Sequence, residues 1–578
     1  MLMKKGLFRF YKVVWKDALL AIFFILLETV LETFVPYMFS QIVDVGIVNN
    51  DLNYIYFWGA MMILAATLSF IIGIIGVRFI ARVGQGYGAE LRRQQFIKLQ
   101  ELDIEKRNEF AVSSLITRLT NDTYTIQNAI IIGMRGLFRA PFMITMVLVL
   151  SFSLNAKMAM IFAVTLPIVT ILMLTIVFTV RPIYETMQRR FDELNRTLQE
   201  NFQAIRVVKA YVTEEKEINK FNKINNDYRK VATSAFTTVS LNIPFMQLGV
   251  YATIVGLLFI GGNLINVGEA KIGEITGLLT YVLQLLNALL MLAQLLIMFS
   301  RTLAASARIK ELLNTENTLV FNNESTLTIN DGTIEVKDLK FKFPDTPENI
   351  YILNDISFTL RKGETLGIIG QTGSGKSTLV HLLARLYDIN EGQILLDGHP
   401  LIDFKEEEIF NAINIVYQNN MLFSGSIIDN LRWGNKLATD EEIDKALKAS
   451  LSDEIVNKLN DGLNSEVGQA GTNLSGGQKQ RLSLARALLK NPKILIIDDA
   501  LSAIDTINEA KIRSNLAKYY PNLSIIMVSQ RISAIKNADH ILVLHEGRIN
   551  GEGKHETLLK TNEIYKDIYD TQLKGAEV

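Results

Sequence analysis

The sequence predicts an α-helical membrane domain of six transmembrane helices with long cytoplasmic extensions, followed by an α/β P-loop domain. Three observations carry this expectation. Six apolar stretches fall within the first 300 of 578 residues. Two long polar segments between them keep a helical period. From about Thr333 the pattern changes to strands alternating with helices, joined by Gly-rich turns.

A single hydrophobic core stops growing at about 250–300 residues, so a chain of this length holds more than one domain. The hydrophobic content of 49% is high, and all five histidines (His381, His399, His540, His545, His555) lie in the C-terminal part. Both facts point to a two-part chain. Net charge is zero, which removes the electrostatic case for nucleic acid, and without cysteine there is no disulfide framework.

The spans fall near 17–40, 54–80, 136–154, 157–180, 241–263 and 275–299. Each is long enough to cross a bilayer, which takes roughly 20 residues of helix. The N-terminus carries Lys4, Lys5, Arg9, Lys12 and Lys16 with no acid, and segments 81–135 and 181–240 are rich in lysine and arginine. The first outer loop, QIVDVGIVNNDLN, has neither. The positive-inside rule therefore places the N-terminus, both long segments and the C-terminal domain in the cytoplasm. The absence of an organelle-targeting segment favours a bacterial plasma membrane. Residues 1–16, with Leu7, Phe8, Phe10, Tyr11 and Trp15 among the bases, read as an interfacial helix. The six-helix domain is expected at 17–300, a linker at 301–330 and the α/β domain at 331–578. Segments such as 185–211 are amphipathic and free of proline, so the membrane helices are expected to continue into the cytoplasm as paired rods.

The chemistry starts at LGIIGQTGSGKSTLVHLL, residues 366–383. Gly370, Gln371, Thr372, Gly373, Ser374, Gly375, Lys376 and Ser377 form GxxxxGKS between an apolar strand and a helix that continues through Thr378. That context defines a P-loop: glycines turn backbone N–H groups toward phosphate oxygens, Lys376 reaches the β- and γ-phosphates, and Ser377 offers a hydroxyl to Mg²⁺. The run KILIIDD, 493–499, reads as a buried parallel strand delivering Asp498 to the same metal ion. A second Gly-rich helix start, Leu474, Ser475, Gly476, Gly477 and Gln478, is a second phosphate-binding surface. One nucleotide cannot easily use both in one compact domain, so LSGGQ is expected to face the nucleotide of another subunit.

P-loop, LSGGQ and Asp-tipped strand, in this order and after six spans, resemble an ABC transporter of the exporter type. The likeness is to a half-transporter, one transmembrane domain fused to one α/β P-loop ATPase domain, and it covers essentially the whole chain. ATP and Mg²⁺ are the implied ligands. The resemblance assigns Phe343 to the aromatic that stacks on adenine, and Gln418 to the glutamine linking Mg²⁺ to the membrane domain. Ser502, Ala503, Ile504 and Asp505 match the D-loop. In SEVGQAGTN, Gln469 stands where glutamate is usual. Coupling helices are implied near 106–115 and 209–217, the second docking on a partner.

Two departures bear on activity. Asp499 occupies the place of the catalytic glutamate, and Gln530 that of the switch histidine. Aspartate is one methylene shorter, and a misplacement of about 1 Å can cost roughly 10²-fold in rate. Glutamine donates a hydrogen bond but carries no titratable proton. Together they imply a P-loop site that binds ATP and hydrolyses it poorly, while the intact LSGGQ completes the site of a second, non-identical half-transporter. A bacterial heterodimeric multidrug exporter is the expected assembly. A slow homodimer exporting lipid or peptide, and a regulatory ATP-binding receptor, remain open.

In the first span Glu28 and Glu32 share one helix face with Pro36. Charges at membrane depth face a water-filled cavity or a partner. Two readings stand: a cavity surface for hydrophobic or amphipathic substrates, cations among them, or a structural pair met by an arginine or by a solvated outer vestibule. Gln284, Asn287 and Gln294 are candidate pore-lining groups. Arg135 and Arg139 are expected nearer the cytoplasmic head groups.

Overall fold

The computed structural model describes residues 7–344, 346–347 and 350–574. The chain divides into two compact units, Met1–Glu101 with Phe110–Thr315, and Leu102–Glu109 with Glu316–Val578.

The first unit is helical. Leu7–Val13 forms a 3-10 helix whose Leu7 and Phe10 are buried, and Tyr87 Oη donates to the Leu7 carbonyl at 3.0 Å. The expected interfacial segment 1–16 thus packs onto the bundle along these residues; positions 1–6 lie outside the described residues. Then come α1 (Trp15–Ile47), α2 (Leu52–Glu101), α3 (Ile104–Asn108, which belongs to the other unit), α4 (Val112–Leu154) and α5 (Ala156–Gln203). A short α6 (Ile205–Ala210), α7 (Glu214–Asn266) and α8 (Ile272–Asn314) follow. Six of the described helices are long and apolar enough to cross a membrane. At 50 residues, α2 is about 75 Å long, more than twice a bilayer core.

Polar contacts lock the rods outside the apolar windows. Arg118 of α4 donates to the Arg308 carbonyl and to Glu311 of α8, at 2.5 and 2.8 Å, while Arg308 donates to Asp122 at 2.8 and 2.5 Å. Gln95 of α2 donates to Thr123 Oγ1 at 2.9 Å. Near the other end of the spans, Asp44 Oδ1 accepts from Gly273 N at 2.5 Å, at the start of α8. A Cβ on Gly273 would sit 2.4 Å from the Ser40 carbonyl, so the two helices meet closely only with glycine there.

The second unit is α/β. Strands β1 (Ile334–Phe341), β2 (Leu353–Leu360), β4 (Glu391–Leu396) and β5 (His399–Pro400) form an antiparallel sheet in the order β2-β1-β4-β5. The main sheet has six strands: β3 (Thr365–Gly370), β6 (Ile413–Val416), β9 (Ile494–Asp498), β10 (Ser524–Val528), β11 (His540–His545) and β12 (Arg548–Gly553). Their order is β12-β11-β3-β10-β9-β6, parallel except for β12. A small hairpin pairs β7 (Gly425–Ser426) with β8 (Glu466–Val467). Along β9, Ile494 and Ile496 enter one hydrophobic cluster, and Leu495 and Ile497 the other. Burial on both faces explains why this strand reads as an unbroken aliphatic run.

The stretch expected as a linker, 301–330, is divided in the structure. Helix α8 carries its first half, and Phe321, Leu327 and Ile329 already pack in the α/β unit's core.

Candidate functional site

Parallel register brings the chemistry to one edge of the main sheet. Val528 of β10 lies opposite Ile368 of β3 and Asp498 of β9, so the P-loop, the Asp498–Asp499 pair and the loop bearing Gln530 all leave the sheet together. The P-loop leads into α9 (Lys376–Leu383). Gly375 caps that helix at φ 96°, and a Cβ there would meet Leu353 Cδ2 at 2.7 Å; one on Gly370 would sit 2.2 Å from the Leu544 carbonyl. Only glycine fits both places.

Lys376 Nζ lies across the loop and donates to the Gly370 and Gln371 carbonyls at 2.8 and 2.9 Å. Burial lowers its pKa, opposed by Asp498 and Asp499. Burial likewise raises Asp498, against the pull of His381, a hydrogen bond with Ser377, and Lys376. Asp499 is raised by burial and by the neighbouring Asp498 charge, and Arg531 and Lys376 oppose this. Its backbone is left-handed at φ 49°, while its N–H continues the ladder to the Val528 carbonyl at 2.9 Å. Aspartate tolerates that region better than most side chains. Gln418 Nε2 donates to Asp499 Oδ2 at 3.2 Å, so its amide addresses the carboxylate directly. Phe343 is half-buried, edge-on to Phe341 and Tyr387 at ring separations of 4.9 and 5.4 Å. The Gln530 side chain is exposed.

The signature residues begin α10 (Gly476–Leu489). Ser475 and Gln478 form a capping box, with Ser475 N donating to Gln478 Oε1 at 2.8 Å and Gln478 N to Ser475 Oγ at 3.3 Å. Leu474 is half-buried, and Ser475 and Gly476 are exposed at the helix start. The D-loop lies against this helix: Ala503 N donates to Gln480 Oε1 at 3.0 Å, and a Cβ on Gly477 would stand 3.1 Å from the Ala503 carbonyl. Ser502 is half-buried, Ile504 is buried, and Asp505 caps α11 (Thr506–Tyr519) through Asn508 N at 2.9 Å.

The membrane unit holds a cavity of about 650 Å³ whose lining includes Glu28, Glu32, Pro36, Arg135, Arg139 and Gln284. Arg139 donates to Glu28 Oε1 at 3.1 Å and also to Glu32. Gln284 Nε2 donates to the Glu32 carbonyl at 3.3 Å. Arg139 therefore sits at the depth of the two glutamates rather than among head groups. It ends a π-helical turn, Arg135–Arg139, whose wider winding re-phases the side chains of α4. Asn287 is exposed and does not line this cavity; three residues beyond Gln284, it is turned about 60° round the helix.

Residues 18–289 match the family model described as the ABC transporter transmembrane region, and residues 353–502 the model described as ABC transporter. The ABC transporter ATP-binding protein YfiB of Bacillus subtilis is 35% identical over 96% of this chain and 97% of its own length. The chain belongs to the ABC transporter family. An ATP-dependent lipid A-core flippase of Syntrophus aciditrophicus is 29% identical to the transporter over 86% of this chain and 82% of its own length. The solved structure of a bacterial Atm1-family ABC exporter with ATP bound superimposes with a TM-score of 0.80 at 25% identity, covering 97% of this chain and 99% of that one.

The transporter is thus an ATP-driven exporter with fused membrane and ATP-binding domains, a multi-pass membrane protein whose ATPase domain is cytoplasmic. Exporters of this kind act as dimers in the bilayer. The donor set at the P-loop suits Mg²⁺: the Ser377 hydroxyl and the Asp498 carboxylate, bonded to each other, are hard oxygen ligands.

Four residues at the site carried no motif to reveal them. His381, one turn beyond Ser377, faces the Asp498 charge. Glu509 is almost fully buried, raised by that burial, and faces Arg513, Arg531 and Asp499. Arg513 donates to the Ser533 and Ala534 carbonyls, and Gln572 to that of Gln530. Of the implied coupling helices, the first is α3, packed on the α/β unit: Asp103 Oδ2 accepts from Thr318 and Leu319 N, at 2.5 and 3.0 Å, and Asn108 Nδ2 donates to Tyr387 Oη at 3.4 Å. The second is α6 and the turn after it, where Tyr211 and Val212 are 76% and 81% exposed.

Proposed function

We propose that this chain is one half of a heterodimeric exporter, that its own P-loop site binds ATP and turns it over slowly, and that its LSGGQ completes the faster site of a non-identical partner. The observation that carries this reading is the coincidence of Asp499 and Gln530 in one site. Asp499 is a short carboxylate already engaged by Gln418. Gln530 offers a hydrogen bond to a γ-phosphate but no proton to exchange. In this reading Phe343 stacks on adenine, residues 370–378 enclose the phosphates, and Ser377, Asp498 and Gln418 hold Mg²⁺, which when bound neutralises phosphate charge. Closure of two ATPase domains on ATP then turns an inward-facing cavity outward.

The cavity bounded by Glu28, Glu32 and Gln284 is the proposed substrate path. Its two carboxylates are matched by two guanidiniums, Arg135 and Arg139. This balance supports an amphipathic substrate with a dipolar head over a bare cation. A bare cation would compete with Arg139 for its partners and leave a charge unpaired. A homodimeric lipid exporter is the second reading, favoured by the likeness to the lipid A-core flippase.

Mg²⁺-dependent ATP hydrolysis by this chain alone, purified in lipid nanodiscs with binding measured on the same sample, separates the two. ATP bound with turnover far below about 1 s⁻¹ is the expected result. Turnover at or above that rate would overturn the heterodimer reading in favour of a working homodimer.

A further inference from the structure

The loop after β10 presents Gln530 on an exposed turn, yet its main chain is held by two other elements. Arg513 of α11 donates to the Ser533 and Ala534 carbonyls at 3.1 and 2.5 Å. The C-terminal helix α12 (Glu563–Lys574) supplies the other grip. Gln572 spans Arg531: its Nε2 donates to the Gln530 carbonyl at 2.7 Å, and its Oε1 accepts from Ile532 N at 3.0 Å. A carboxamide suits this task because it pairs one donor and one acceptor in a plane, matching a backbone C=O and N–H two residues apart. Gln572 lies seven residues after Tyr565, hence on the same helix face. Tyr565 is fully buried and bonded to His555 at 2.8 Å, and Ile564, Ile568 and Tyr569 pack against the same core. The helix is anchored, and its last turn reaches the switch.

We propose that Gln572 is a positioning residue for the switch: through the main chain of Gln530 and Ile532, the C-terminal helix sets where the Gln530 carboxamide meets the γ-phosphate. The inference rests on the reading above, that Gln530 contacts the γ-phosphate. It gives the C-terminal helix a part in nucleotide discrimination, with its effect confined to ATP.

The test compares Mg²⁺-ATP and Mg²⁺-ADP affinity of the full chain in nanodiscs, by displacement of a fluorescent nucleotide on ice, for wild type, Gln572→Ala, Gln530→Ala and the double variant. Gln572→Ala is expected to weaken ATP about fivefold, the scale of one or two neutral hydrogen bonds, and to leave ADP within about twofold. In the Gln530→Ala background the same change is expected to have no further effect. Equal loss for both nucleotides, no loss, or a loss that persists without the Gln530 side chain would overturn the proposal. If Gln530→Ala itself leaves the ATP-to-ADP ratio unchanged, the γ-phosphate reading falls, and the inference falls with it.

Discussion

Replacing Arg139 with glutamine removes the cation shared by Glu28 and Glu32. Glu28 begins about 20 Å along α1 from Trp15, well inside a bilayer core of about 30 Å. The side chains of Arg139, Glu28 and Glu32 are 18%, 16% and 39% exposed. Breaking a fully buried pair costs about 3–5 kcal/mol, because the remaining charge is left uncompensated. Glu32 is partly solvated and screened, which lowers the expected loss for Arg139→Gln to about 2–3 kcal/mol. The triple variant Glu28→Gln, Glu32→Gln, Arg139→Gln removes the whole ion-paired cluster, leaves only the half-buried Arg135 charged on the cavity wall, and is expected within about 1 kcal/mol of wild type. Unfolding in mixed micelles titrated with SDS would measure all three proteins. A loss below about 0.5 kcal/mol for Arg139→Gln, or a triple variant as unstable as the single one, would refute a shared buried cation.

Other expectations follow from the ATPase unit. Asp499→Glu adds about 1.5 Å of reach and, combined with Gln530→His, should raise turnover of the purified chain at least tenfold, by phosphate release. It should also lower thermal stability by roughly 1 kcal/mol, since glutamate is less at ease at φ 49°. An unchanged rate would show that carboxylate reach is not what limits this site. Glu509→Gln should stabilise the nucleotide-free protein at neutral pH. The Glu509 pKa is raised, so the cost of its buried charge is present in full above that pKa. It disappears as pH falls through the raised pKa toward the ordinary 4.5. Melting curves of the two proteins should therefore converge on acidification; a constant gap would count against burial as the cause.

Much of this molecule was legible in the chain because its signals are local. GQTGSGKS between strand and helix names its own conformation, and ILIID alternates between two buried faces. The rods of α2 and α5 extend helical periods already visible next to the spans. What stayed hidden depends on long-range or phase-shifting events. The π turn at Arg135–Arg139 moves Arg139 toward the glutamates, and no 3.6-residue wheel anticipates it. Gln572 meets its partner 42 residues away without any motif. Glu509 appears on a helix of mixed polarity, where only the fold makes it a buried acid.

The excursion of Leu102–Glu109 has a practical side. A C-terminal fragment started at the apparent boundary near residue 316 would have an ATP-binding unit missing a piece of itself. Thr318 and Leu319 would lose the Asp103 carboxylate that receives their N–H groups, and the cluster near Phe321 would lose Ile104. Such a fragment could refold its sheet and still misreport affinity and stability. A more faithful reagent would restore the missing octet, as a grafted loop or an added peptide, before any number from it is assigned to the whole machine.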